Sequence, residues 1–131
     1  MTEIARSKVS LGFFGDGLDP AELTAFLGVQ PMHRYRKGDD DRTPQRPGSW
    51  RLHATERAPG DPDAQIRELL SGLNSDVTVW RELTTRFKAR LLCGLFMEVG
   101  NEGVDLSAEM LTEIGKRGLV LSLDIYDSAS A

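Results

Sequence analysis

The sequence predicts an α+β fold: a four-stranded, mainly antiparallel sheet with its helices on one face. Three observations carry this. Apolar residues alternate with polar ones over 7–14, 49–54 and 119–126, and a longer alternating run covers 88–99. Between these runs lie segments with apolar residues at helical spacing, most of them opened by a capping residue. The resulting order is strand-helix-strand, a pair of helices, then strand-helix-strand.

The first strand, 7–14, sends Val9, Leu11 and Phe13 to one side and Lys8, Ser10, Gly12 and Phe14 to the other. Gly15-Asp16-Gly17 breaks it. A helix then starts on Asp19 as N-cap with Pro20 at the first helical position, where its missing N–H does no harm. Glu22 is placed to complete a capping box, and Leu18 and Leu23 to form a hydrophobic staple. Leu23, Phe26 and Leu27 form its apolar stripe, and Gly28 ends it in a left-handed conformation.

Residues 29–48 carry three prolines, two glycines and eight charges, which predicts a long loop. The strand 49–54 follows, with Trp50, Leu52 and Ala54 toward the core. A turn-rich linker, 58–63, leads to a helix whose stripe is Ile66, Leu69, Leu70 and Leu73. A second short helix over 76–87 turns Val77, Trp80, Leu83 and Phe87 inward. Strand 88–99 is apolar on both faces at its middle, as a central strand is; Ala89, Leu91, Cys93, Leu95, Met97 and Val99 form the core side. After a turn at Gly100–Gly103, Ser107 caps a helix with Leu111 and Ile114 inward and Gly118 at its end. The last strand, 119–126, puts Leu119, Leu121, Leu123 and Ile125 on the core face. The two strand-helix-strand halves form a weak internal repeat. Together they predict a split β-α-β, ferredoxin-like sandwich with a helical insertion between the halves.

At 131 residues the chain forms a single domain, 1–131, with its core over about 7–127. Apolar residues at 40% and charged residues at 27% match ordinary globular composition. The net charge of -4 gives no global attraction to nucleic acid or anionic membrane. Cys93 is the only cysteine, which excludes an intramolecular disulfide and a multi-cysteine zinc site. No secretory h-region opens the chain, and the longest apolar run, 91–97, is far too short to span a bilayer. A cytoplasmic location is the expectation.

Several short motifs recur in order along the chain. Leu18-Asp19-Pro20-Ala21-Glu22-Leu23 is followed by Leu27-Gly28-Val29-Gln30-Pro31, then Lys37-Gly38-Asp39, then Gly48-Ser49-Trp50. A leucine-rich helix with Leu69, Leu70 and Leu73 and a terminal strand closing on Asp124 and Tyr126 complete the series. In this order and spacing, over roughly 8–126, the chain resembles the uncharacterised, mainly bacterial family called domain of unknown function 4279. The resemblance implies no activity. The acidic run Asp39-Asp40-Asp41 is denser than the family pattern.

Two surfaces are candidates for function. Residues 31–57 hold seven Lys and Arg against four acids, in an otherwise acidic chain. Within them His33, Arg34, Tyr35, Arg36 and Lys37 form a candidate site for a small anion, with guanidiniums forking onto phosphate or carboxylate. The competing reading is a solvated loop whose acids and bases pair with one another. Lys37-Gly38 lacks the glycines and hydroxyl of a phosphate-binding loop, and Asp39-Asp40-Asp41 lacks the spacing of a calcium loop. An enzyme reading would use His33 or His53 with Asp124 as its acid-base set, and no activated nucleophile accompanies it. The second surface is the uncovered sheet face, where Phe14, Arg90, Leu92, Phe96 and Tyr126 form a candidate interface. The ribonucleoprotein signatures of sheet-face RNA binders are missing. The expectation is therefore a non-enzymatic interaction domain, without cofactor or metal. It would bind a protein partner or a second copy of itself through the open face and the basic loop, with small-anion binding as the alternative and an enzyme third.

Overall fold

A computed structural model describes residues 2–127. Its elements are β1 (Thr2–Glu3), β2 (Arg6–Gly15), α1 (Pro20–Leu27), β3 (His33–Tyr35), β4 (Gly48–His53), α2 (Pro62–Ser71), α3 (Val77–Arg86), β5 (Lys88–Phe96), β6 (Glu102–Gly103), α4 (Ala108–Arg117) and β7 (Val120–Tyr126).

Local chemistry sets the helix ends as the sequence predicts. The Asp19 carboxylate accepts from the Ala21 N–H at 3.1 Å, and Gly28 closes α1 at φ 89°. Ser107 Oγ accepts from the Met110 N–H, and Gly118 closes α4 at φ 79°. An added Cβ at Gly118 would also lie 2.6 Å from Thr84 Oγ1, so this glycine is required twice over.

The helices share one face of the sheet: α1 packs on β4, α2 on β2, α3 on β5 and α4 on β7. Between the layers Val9, Leu11, Phe13, Trp50, Leu91 and Cys93 meet Leu23, Leu27, Ile66, Leu70, Trp80, Leu83, Met110 and Ile114. Phe13 lies between Trp50 and Trp80, at ring-centre distances of 5.9 and 6.0 Å. Each buried tryptophan removes enough apolar area from water to contribute about 4 kcal/mol before entropy. Gln65, buried and polar, ties α2 to the sheet: its amide donates to the Ser7 and Thr55 carbonyls, and its oxygen accepts from the Ser7 hydroxyl.

The sheet has five strands, not four, in the order β3-β4-β2-β5-β7, and β1 and β6 form a separate parallel pair. The extra strand, β3, lies inside the segment read as loop. Its pairing changes the topology. β3 runs antiparallel to β4, and β4 antiparallel to β2, so β3 points the same way as β2. The first strand-helix-strand unit is therefore β2-α1-β3, split by β4. The second, β5-α4-β7, is an adjacent parallel pair with nothing between. The fold is a mixed α+β sandwich, mostly antiparallel; the ferredoxin-like split is not matched in both halves.

Four residues expected in the core are exposed: Val99, Leu111, Leu123 and Ile125. β5 stops at Phe96, which leaves Val99 beyond the sheet. Leu123 and Ile125 point to the helix side of β7, but β7 is the last strand and the helix layer ends before covering them. Among the described residues no helix is long and apolar enough to cross a membrane.

Candidate functional site

The segment His33 to Lys37 is tied down rather than free. His33-Arg34-Tyr35 is β3, in register with Arg51-Trp50-Ser49 of β4. Tyr35 is buried: Arg46 lies 3.9 Å over its ring, and its hydroxyl accepts from the Asp40 N–H at 3.1 Å. The loop 36–47 thus folds over the start of the sheet. Its cations are compensated close to home. Arg36 pairs with Asp19 at 2.8 Å, Lys37 with Asp16 at 3.1 Å and Arg42 with Asp40 at 3.3 Å. The Asp19 carboxyl is accordingly held below its usual range, first by the Ala21 N–H and then by Arg36. Of the three Arg and Lys among the five, Arg34 alone has no ion pair among the described residues, and it is exposed.

The two histidines meet. His33 and His53 make an edge-to-face contact with ring centres 5.2 Å apart. Partial burial, then His33 and Arg51, push the His53 pKa down. Asp124 is not with them. It lies on β7, three strands from His53 and four from His33, roughly 14 and 19 Å away at the usual strand spacing. Its carboxylate instead accepts from the Tyr126 hydroxyl at 2.6 Å, which raises the Tyr126 pKa. The Cys93 thiol is buried in the core and pushed up to about 11.

The open face of the sheet brings the other candidates together. Strand register sets two rows. One runs Arg6-Phe96-Tyr126 across β2, β5 and β7; the other runs His33-Arg51-Gly12-Arg90-Val120 across all five strands. In the first row Phe96 is stacked on Tyr126 at 4.7 Å, with the Arg6 guanidinium 4.1 Å from its ring centre. In the second, Gly12 leaves room for the Phe14 ring: an added Cβ there would lie 2.7 Å from it. Arg90 sits 5.9 Å from the centre of the same ring, and Lys88 is next to Phe14 in register. Leu92 lies half-buried between the two aromatic stations.

The cations of this face differ from one row to the other. Arg6 and Lys8 both reach Glu56. Arg51, Lys88 and Arg90 have no carboxylate partner among the described residues, and the Arg51 Nε is buried without any hydrogen-bond partner. The Arg90, Leu92, Phe96, Phe14 and Tyr126 placements follow from strand alternation. Arg6 and Lys88 were missed as site residues, although the same alternation extended one residue outward would have found Arg6.

A cleft of about 830 Å³ lies elsewhere, between residues 55–62 and Glu3, Gly103, Val104 and Asp105. Its acids are partly engaged: Glu68 accepts from the Thr55 N–H and hydroxyl, and Asp61 caps α2. Among the described residues no group of three His, Cys, Asp or Glu is placed to hold a metal ion.

The family model described as "Domain of unknown function (DUF4279)" matches residues 5–128. The chain belongs to this family. Neither the curated proteins nor the solved structures contain a match to it. The DUF4279 match spans the whole sheet, from β2 to β7, so both the open face and loop 36–47 lie within the family domain.

Proposed function

We propose that this DUF4279 domain is a non-enzymatic interaction domain whose open sheet face binds an acidic segment of a protein partner. The observation that carries the reading is the trio Arg51, Lys88 and Arg90, grouped around the Phe14 ring without carboxylate partners among the described residues. Three uncompensated cations at one spot of an acidic protein attract negative charge and gain hydrogen bonds when it arrives. The Arg51 Nε is a buried donor with no hydrogen-bond partner among the described residues, so the guanidinium is not satisfied within the fold. Phe14 and Leu92 add the apolar contact that lies at the centre of protein interfaces.

A base-stacking role is less well supported. Phe96 is held between Tyr126 and Arg6, so neither ring face is free for a nucleobase. The loop cations, paired with Asp16, Asp19 and Asp40, support a small-anion site less than the open face supports a partner.

The test is an amide NMR titration of the whole chain with a polyglutamate peptide and, separately, with single-stranded oligothymidylate. Shifts with the peptide should map to β2, β4 and β5 around Phe14. They should fall by roughly tenfold in affinity in the Arg51→Ala, Arg90→Ala double variant. No shift with the peptide, or shifts only with the oligonucleotide, would sink the reading.

A further inference from the structure

We infer that this chain forms a two-fold homodimer by antiparallel pairing of β7 with β7 of a second copy, joining two sheets into one of ten strands. The inference does not depend on the reading of the open face.

Half of the β7 backbone groups are already used by β5. The Tyr126 carbonyl accepts from the Met97 N–H, so Tyr126 turns its backbone toward β5. In a parallel ladder this alternates, so Val120, Ser122, Asp124 and Tyr126 bond to β5. Leu121, Leu123 and Ile125 aim their N–H and C=O groups at the free edge. No strand among the described residues takes them.

The side chains of this edge are apolar and uncovered. Leu123 is 53% exposed, Ile125 60% and Val120 60%. Residues 120–126 contain no Lys, Arg or Pro, the residues that protect edge strands from pairing. The helix layer continues the strip. Glu109 reaches Arg67 of α2, and Leu111 lies about 200° around α4 from it, on the flank facing the free edge. Leu111 is itself 50% exposed.

The register follows. Centring the two-fold axis on Leu123 sets Leu123 opposite its own copy and Leu121 opposite Ile125. All three outward residues of each chain then exchange backbone bonds, six in total, and their apolar side chains meet on the helix side. On the open face Val120 meets Tyr126 and Ser122 meets Asp124. A shift of one pair toward the C-terminus sets Asp124 against Asp124, and one toward the N-terminus loses a pair of bonds. The axis stands perpendicular to the sheet, so both open faces end on the same side.

The test is the oligomeric state of the full chain by sedimentation equilibrium. Wild type should be dimeric at about 50 µM and dissociate on dilution. Leu123→Glu, which sets two carboxylates against each other at an exposed site, should be monomeric with an unchanged circular dichroism spectrum. The register has its own pair of variants. Ser122→Lys opposite Asp124 should tighten the dimer, and Ser122→Asp should weaken it, each by roughly 2- to 30-fold. A wild-type monomer at about 200 µM overturns the dimer. A folded Leu123→Glu dimer overturns the β7 edge, and opposite signs in the Ser122 pair overturn the register.

Discussion

The two edges of this sheet are built on opposite principles. At one edge stands β3, three residues long, with its Tyr35 end held under the loop 36–47. At the other stands β7, seven residues long, with its apolar side chains exposed and its outward backbone groups unpaired among the described residues. A sheet edge invites pairing unless it is short, charged or covered. β3 is short and charged, carrying His33 and Arg34, and its Tyr35 end is clamped under Arg46. β7 is none of them. One edge therefore closes the domain, and the other leaves a template open to a further strand.

The largest expected effect breaks the closed edge. Tyr35→Ala removes the side chain on which the loop rests and should destabilise the protein by about 3 kcal/mol. Leu123→Ala, at the open edge, should change monomer stability by less than about 0.5 kcal/mol. Urea unfolding of both variants in dilute solution checks the contrast; equal losses would show that the two edges are not different in kind.

A second measurement sharpens the difference at the open edge. In dilute solution the amides of Leu121, Leu123 and Ile125 should exchange with solvent fast, while those of Ser122, Asp124 and Tyr126 stay protected by β5. Raising the concentration into the dimer range should slow the odd-numbered set by roughly tenfold or more. Uniform protection along β7 at every concentration would be inconsistent with an open edge.

The smallest effect belongs to the closed edge again. The His53 pKa is depressed in the folded protein, so the unfolded chain takes up the proton first as pH falls below 6.5. Stability should therefore decline on acidification through that window and level off below the folded pKa. His53→Gln should flatten this part of the pH profile. No counterpart is expected from β7, whose described residues include no histidine.

Much of this was legible in the sequence because it rests on near neighbours. Asp19, Pro20 and Gly28 bound α1, and Ser107 and Gly118 bound α4, through contacts within a few residues. Alternation placed Val9, Leu11, Phe13, Leu91 and Cys93 in the core and Phe14, Arg90, Leu92, Phe96 and Tyr126 on the open face. β3 was not legible. His33-Arg34-Tyr35 has no alternating pattern, and it is a strand because Arg51, Trp50 and Ser49 lie opposite it. The paired state of Arg36 and Lys37 also depends on Asp19 and Asp16, which lie 17 and 21 positions away in sequence.

The sequence by itself determined the four helices, four of the five sheet strands and the face most of their side chains take. A strand's period of two and a helix's capping chemistry are local, and local geometry needs no knowledge of the rest of the chain. Only the tertiary structure decided coverage. Leu121, Leu123 and Ile125 share one face of β7 by alternation, yet whether that face is buried depends on which strand and helix come next in space. Strand order places β7 last, the helix layer runs out over it, and Leu123 and Ile125, which alternation assigned to the core, stand at an open edge.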